Sequence, residues 1–291
     1  MSVITWRELW QQTIDVLGER GPARWLCETA CGLDGDEFTA ALDEPATERM
    51  VQQLDAMVAR YRSGEPLAYV MGRWSFRTLD LMVDRRVLIP RPETEWVAER
   101  AIAVARSFSP RVVVDLGTGS GASGLSRAAV LPVDGTEVWL TDASADAIDV
   151  ARANVAAVGR GAANVRIAQG SWFEALPAEL RGRVNVIVSN PPYIADDDPE
   201  VDESVREWEP SSALFAGDDG LRDIENIVRG AREWLAPGGS LIVEIGHRQG
   251  DAVLEIARTS GFAPEPTDRA ESIEIVPDLA HRPRFLHAVF W

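Results

Sequence analysis

Hydrophobic positions divide the chain into an N-terminal part with helical spacing and a longer part in which strands and helices alternate. In residues 1 to about 70, apolar side chains recur three and four positions apart in WRELWQQTIDVL and TERMVQQLDAMVARYRSG, which predicts several short helices. SFRTLDLMVDRRVLIP then alternates apolar and polar residues in two pieces, as a β-hairpin does, before a helix that begins near Thr94. We therefore predict an N-terminal helical domain over residues 1–72 and a hairpin linker over residues 73–92.

From Arg111 onward, apolar runs of strand length alternate with segments of helical periodicity. Such alternation predicts a parallel β-sheet with helices on both faces, and the last two runs predict a final antiparallel pair. The predicted strands are RVVVDLG, EVWLTD, VRIAQ, VNVIVSN, SLIVEIG, SIEIV and RFLHAVFW, and the predicted helices follow Ser120, Ser144 and Gly220 and cover residues 249 to 260. Residues 93–291 are therefore predicted to form one α/β domain.

The charge balance restricts the class of partner. Forty-six Asp and Glu residues against 29 Lys and Arg give a formal charge of −17, which repels a phosphate backbone, so tight nucleic-acid binding is disfavoured. The N-terminus mixes charges into its apolar positions, unlike a signal peptide, and no run of eighteen apolar residues occurs. We expect a soluble, cytoplasmic protein that does not bind membranes or nucleic acid directly and that is a monomer.

The two cysteines predict no metal site. Cys27 and Cys31 lie four residues apart on one predicted helix face, whereas the three histidines are far downstream in the sequence. We interpret both cysteines as reduced, packed thiols, with a structural disulfide as the weaker alternative.

A glycine-rich turn predicts a cofactor site. Gly119, Gly121 and Gly124 form G-x-G-x-x-G between a predicted strand and helix, a pattern that is typical of dinucleotide sites but weak without its context. Asp142 ends the next strand, where a carboxylate can accept both ribose hydroxyls of an adenosine. Asp115 would repel a pyrophosphate but attract the ammonium and sulfonium groups of S-adenosylmethionine, so we prefer that cofactor.

Two further features bear on this site. Gly117, Gly119 and Gly121 would let the backbone approach the methionine part of the cofactor closely. Trp172 follows the third predicted strand of the sheet, where it is either a lid on the adenine face or a core aromatic residue, and the sequence favours neither interpretation.

A strand that ends in VSNPPYI predicts the reaction centre. Asn190 should stand at the crevice beside the cofactor's methyl group, and the carbonyl of Pro191 can point into the pocket as a second acceptor, while Tyr193 adds a flat wall. Two acceptors suit a planar NH2 group, such as a carboxamide or the exocyclic amine of adenine or cytosine. An amide nitrogen is a poor nucleophile, so we expect alignment with the sulfonium to be the contribution of these residues.

The motifs DLGTGSG, TDAS and VSNPPYI resemble those of N-methyltransferases that act on planar NH2 groups. The flanking segments GEPLAYVMGRWSF, VLIPRPETE, EPSSALFAGDDGL and APGGSLIVEIGHRQG resemble the HemK/PrmC family of release-factor glutamine methyltransferases, and the resemblance spans residues 10 to 285. It implies a seven-stranded, Rossmann-like class I methyltransferase domain that depends on S-adenosylmethionine. It also implies methylation of the glutamine in the Gly-Gly-Gln loop of class I peptide chain release factors, with the N-terminal domain helping to dock that substrate.

Carried over by position, the resemblance assigns the site residues. The implied cofactor contacts are Gly117, Thr118, Gly119, Ser120, Gly121, Asp142, Trp172 and Asn190, beside Asp115, and the implied substrate contacts are Asn190, Pro191, Pro192 and Tyr193. The alternatives are a DNA adenine-N6 methyltransferase, which would need a basic DNA-reading region, and a non-catalytic binding module. A binding module would be expected to have lost Asn190 or the cofactor acids, and this chain keeps them.

Overall fold

A computed structural model of the protein describes residues 4–262 and 273–291, and its contacts separate the chain into two units, Met1–Arg73 and Trp74–Trp291. The division falls beside the predicted domain limit at residue 72. In the described ranges, no helix combines the length and the apolar character that crossing a bilayer requires.

The N-terminal unit consists of short helices, as predicted. They are α1 (Trp6–Leu17), α2 (Arg20–Cys31), α3 (Gly35–Ala40), α4 (Glu48–Arg62) and α5 (Leu67–Met71). A capping box starts α1, in which the Thr5 hydroxyl accepts from the Glu8 N–H and the Glu8 carboxylate accepts from the Thr5 N–H. Cys27 is buried in the core of this unit, and both Cys27 and Cys31 are free thiols, which confirms their predicted state.

The second unit opens with a small sheet of two strands, β1 (Arg73–Phe76) and β2 (Leu79–Met82). The second strand ends at Met82, whereas the predicted hairpin linker runs to residue 92, and just after Met82 the Asp84 carboxylate accepts from the backbone and guanidinium of Arg86. That local pairing competes with a strand ladder.

A seven-stranded sheet forms the centre of the second unit. Its strands are β3 (Arg111–Leu116), β4 (Thr136–Asp142), β5 (Val165–Gln169), β6 (Val184–Ser189), β7 (Leu235–Glu244), β8 (Ile273–Pro277) and β9 (Pro283–Val289), in the spatial order β5-β4-β3-β6-β7-β9-β8. The first five strands in chain order pair in parallel, whereas β9 pairs antiparallel with both β7 and β8. This topology confirms the predicted α/β class and the final antiparallel pair.

Helices cover both faces of this sheet. They are α6 (Thr94–Ala105), α7 (Ala122–Val130), α8 (Ala145–Val158), α10 (Arg222–Trp234) and α11 (Gly250–Thr259), while the short helix α9 (Glu203–Trp208) has no buried residue. Val113 and Val114 are adjacent in β3 but belong to different apolar clusters, one with α6 and α7 and the other with α10 and α11. Side chains alternate along a strand, so these clusters lie on opposite faces. Because β3, β4 and β6 are parallel, their carboxyl ends lie at one edge of the sheet, where ligands of open α/β sheets bind.

Candidate active site

A cavity of about 530 Å³ opens at the carboxyl edge of the parallel strands. Most of the predicted site residues line it, namely Asp115, Gly117, Thr118, Gly119, Ser120, Asp142, Trp172, Asn190 and Pro192. Pro191 and Tyr193 line a second cavity of about 480 Å³, and Asn190 lines both. Gly121 lines neither of these two cavities and lies at the start of α7.

The first turn of the glycine loop passes closely beneath an aromatic ring. Gly117 has φ +66°, and a Cβ atom at this position would lie 3.2 Å from Cζ3 of Trp172. Trp172 itself has φ +45°, a conformation that side-chain-bearing residues rarely adopt. Its ring lines the cavity and also packs against the neighbouring apolar cluster, and its role as a lid on the adenine face stays a prediction.

The last glycine of the motif, Gly124, lies in α7 and serves packing between this helix and the sheet. A Cβ atom at Gly124 would lie 2.0 Å from a methyl carbon of Leu140 in β4 and 3.1 Å from the carboxylate of Asp115. A side chain fits this space only if the Leu140 side chain or the helix shifts.

Asp115 is a buried carboxylate whose two oxygens both have protein partners. Oδ1 pairs with the guanidinium of Arg127 at 2.7 Å, and both side chains are almost completely buried. Oδ2 accepts from the Thr118 hydroxyl at 2.5 Å and from the Gly124 N–H at 3.1 Å. Since Arg127 compensates the negative charge, the charge argument for a cationic cofactor is weaker than the sequence suggested. A direct contact of Asp115 with the cofactor stays a prediction.

Asp142 keeps acceptor capacity facing the cavity. Its Oδ2 accepts from the Gly119 N–H and its Oδ1 from the Ser144 N–H, each at 2.9 Å. Burial raises the pKa of this carboxyl, while these backbone hydrogen bonds oppose the shift. A carboxylate offers about four lone-pair sites, so each oxygen can accept one more hydrogen bond. This geometry fits the two ribose hydroxyls of the adenosyl cofactor that the sequence implies.

The side chains around Asn190 form a hydrogen-bonded group. Asn190 Nδ2 donates to the Thr94 hydroxyl at 3.3 Å, and that hydroxyl donates to Oε2 of Glu244 at 2.7 Å. The Tyr193 hydroxyl donates to Oε1 of Glu244 at 3.3 Å. Burial raises the pKa of Glu244 to about 7 and also raises that of Tyr193.

Several of these polar residues were not predicted from the sequence. Glu244 was visible as the one charged residue in the apolar strand SLIVEIG, and Arg127 as the one charged residue in ASGLSRAAV. Thr94 was interpreted as a helix start only. Asn154 was also missed, although its side-chain N–H donates to the Ser120 carbonyl at 2.8 Å and its carbonyl accepts from the Met82 N–H, which ties the glycine loop to β2.

Solved structures share the fold of this chain. A methyltransferase from Pyrococcus furiosus has a TM-score of 0.50 at 18% identity and matches 80% of this chain and 96% of its own. The catalytic domain of hMettl16, solved with the MAT2A 3′UTR hairpin 6, has a TM-score of 0.52 at 14% identity and matches 84% of this chain and 83% of its own. The predicted class I methyltransferase fold is thereby confirmed.

Family models and curated relatives give the closer relationship. A PrmC N-terminal domain matches residues 11–72, and a methyltransferase small domain matches residues 102–206. The release factor glutamine methyltransferase of Xylella fastidiosa (strain 9a5c) is 40% identical over 83% of this chain and 82% of its own length. The enzymes of that name from Escherichia coli (strain K12) and Geobacter sulfurreducens are 38% and 37% identical over 84% and 90% of this chain, and over 85% and 89% of their own lengths. The chain belongs to the release factor glutamine methyltransferase family.

Proposed function

We propose that this protein transfers a methyl group from S-adenosylmethionine to the side-chain nitrogen N5 of the glutamine in the Gly-Gly-Gln motif of class I peptide chain release factors. The observation that carries the proposal is the position of Asn190. This residue lines both the first cavity, which the glycine loop also lines, and the second cavity. A group bound beside this amide can reach one cavity while the rest of its chain occupies the other.

The first cavity is the proposed cofactor side. Asp142 would hold the ribose, the backbone from Gly117 to Ser120 would lie along the methionine part, and Trp172 would cover the adenine. The cofactor would supply an electrophilic methyl group on a sulfonium. The residues of the chain would bind the cofactor, orient it and exclude water from the methyl group.

The second cavity is the proposed substrate side. The Oδ1 atom of Asn190 and the carbonyl of Pro191 would accept the two N–H groups of the glutamine, and Tyr193 would pack against its amide plane. The lone pair of an amide nitrogen is delocalised, so these residues would act by alignment and not by strong base catalysis.

The charge of the second cavity favours a protein substrate over DNA. Four acidic residues, Asp198, Glu200, Asp202 and Asp219, line it against two basic ones, Arg91 and Arg248, and Arg248 is paired with Glu200 at 2.6 Å. An acidic recess repels a phosphate backbone and attracts a positively charged peptide segment.

A methyl-transfer assay with labelled S-adenosylmethionine tests the function, with purified release factor and duplex DNA offered separately. We expect label on the release factor at one glutamine, and Asn190→Ala should lower kcat by about 100-fold or more, as the loss of one positioned polar group does. Cofactor affinity, measured by calorimetry, should change much less. Label on DNA alone would contradict the proposal, and a near-parent rate for Asn190→Ala would contradict the role of the amide.

A further inference from the structure

The orientation of the Asn190 side chain depends on two buried residues from distant parts of the second unit. Thr94 begins α6 and Glu244 ends β7, and their relative exposures are 5% and 1%. Together with Asn190 and Tyr193 they form the sequence of hydrogen bonds described above.

Counting protons along these bonds fixes which atom of the amide faces Thr94. Burial raises the pKa of Glu244 to about 7, so above pH 7 this carboxyl is mostly ionised and can only accept, and it accepts from the hydroxyls of both Thr94 and Tyr193. A threonine hydroxyl has a single proton, so the Thr94 oxygen must then act as an acceptor toward Asn190. The amide group of Asn190 therefore presents its NH2 to Thr94.

A substrate NH2 group needs a hydrogen-bond acceptor, and the acceptor of the Asn190 amide is its Oδ1 atom, which lies opposite the NH2. Among the described residues, the side chain of Asn190 forms one hydrogen bond, which is the bond to Thr94. The Oδ1 atom of Asn190 therefore keeps its acceptor capacity. If the amide were reversed, it would present N–H groups to the substrate's N–H groups, which cannot bind each other.

We propose that Thr94 and Glu244 are positioning residues that hold the Asn190 amide with its NH2 turned away from the substrate and its Oδ1 available as the acceptor. The inference rests on the proposed function, because it assigns that acceptor to the glutamine NH2. Neither residue contacts the reacting atoms in this scheme, and both act through Asn190.

Variants at the two positions separate hydrogen bonding from packing. Thr94→Val keeps the shape of the side chain but removes the hydroxyl, whereas Thr94→Ser keeps the hydroxyl. Glu244→Gln keeps the shape but can donate to Thr94, which frees the Thr94 proton to attract Oδ1 of Asn190. Thr13→Val is the matched control, since Thr13 is a buried threonine of the N-terminal unit whose hydroxyl donates to the Leu9 carbonyl at 2.8 Å.

We expect Thr94→Val and Glu244→Gln to lower kcat for release factor by about 10-fold to 100-fold, the effect of losing a hydrogen bond within a charged network, with little change in KM. Thr94→Ser should retain most of the activity, and Thr13→Val should match the parent in kcat. In an Asn190→Ala background, Thr94→Val should cost little more, because Thr94 would have no amide left to orient. A parent-like kcat for Thr94→Val or Glu244→Gln, equal damage from Thr94→Ser, or an undiminished cost in the Asn190→Ala background would overturn the proposal.

A readout that needs no activity separates this inference from the proposed function. The side-chain NH2 signals of Asn190 in an NMR spectrum, assigned by their loss in Asn190→Ala, should exchange with solvent more slowly in the parent than in Thr94→Val. Equal exchange in the two proteins would contradict the orientation of the amide. If the parent does not label release factor at all, the proposed function fails, and the exchange comparison still decides the orientation.

Discussion

At the scale of residues, the site contains two buried carboxylates in contrasting surroundings. Asp115 is paired with a buried guanidinium, so its charge is balanced within hydrogen-bond distance. Glu244 accepts from two hydroxyls, while Arg284, the cation whose charge lowers its pKa, is hydrogen-bonded to Asp278. An ionised carboxylate without a paired cation is costly to bury, which explains why burial raises the pKa of Glu244.

The raised pKa of Glu244 predicts a pH-dependent contribution to stability. Burial raises this pKa from 4.5 to about 7 and nearby Glu93 adds to the rise, while the hydrogen bonds from Thr94 and Tyr193 and the charge of Arg284 oppose it. The folded protein then binds this proton more tightly than the unfolded chain does. The free energy of unfolding should therefore fall as the pH rises from about 4.5 to about 7, by up to about 3 kcal/mol, and this contribution should be constant above pH 7.

Urea unfolding of the parent and of Glu244→Gln at several pH values measures this contribution, because all other titrating groups are common to both proteins. The variant should gain stability relative to the parent as the pH rises from 5 to 7. Parallel curves over that range would show that Glu244 is ionised throughout.

At the scale of elements, the alternating pattern was sufficient to predict the sheet and its helices because each buried strand is a short, nearly continuous apolar run. The boundary of β7 was harder to predict. The strand begins at Leu235 and includes the segment APGG, which its composition would assign to a turn. Pairing with β6 continues through a register shift near Val184, so tertiary contacts override the local signal.

The polar network was hidden from the sequence for a different reason. Thr94 and Glu244 are 150 positions apart, and each has an adequate local explanation, one as the start of a helix and the other as part of a strand. By contrast, Asp142 and Asn190 could be predicted because they end strands, and strand ends meet at one edge in a parallel sheet.

The Asp115–Arg127 pair joins strand β3 to helix α7 and should be a strong determinant of stability. Arg127→Leu leaves a buried carboxylate without its cation, and we expect the free energy of unfolding to fall by about 3–5 kcal/mol, measured by urea unfolding. Adding Asp115→Asn removes the uncompensated charge, so the double variant should recover part of the loss. If the double variant is instead less stable than Arg127→Leu, the pair does not act as a charge pair.

At the scale of the whole molecule, the two units have separate apolar cores, and the two cavities belong to one unit. Each of the three apolar clusters lies within one unit, and both cavities that Asn190 lines are formed by residues 86–249 of the second unit. We therefore propose that cofactor binding and the transfer step belong to the second unit. We predict that the N-terminal unit contributes binding energy for the intact release factor, as the resemblance implies.

A fragment of residues 74–291 tests this division. It should bind S-adenosylmethionine with an affinity close to that of the full chain, as measured by calorimetry, because it contains every residue that lines the cofactor cavity. Its KM for intact release factor should rise by about tenfold or more, which corresponds to a loss of about 1.4 kcal/mol of binding energy. A short peptide that contains Gly-Gly-Gln is the control, since it lacks the rest of the release factor and should be methylated equally by the fragment and the full chain. A fragment that binds the cofactor and methylates intact release factor as efficiently as the full chain would show that the N-terminal unit does not dock the substrate.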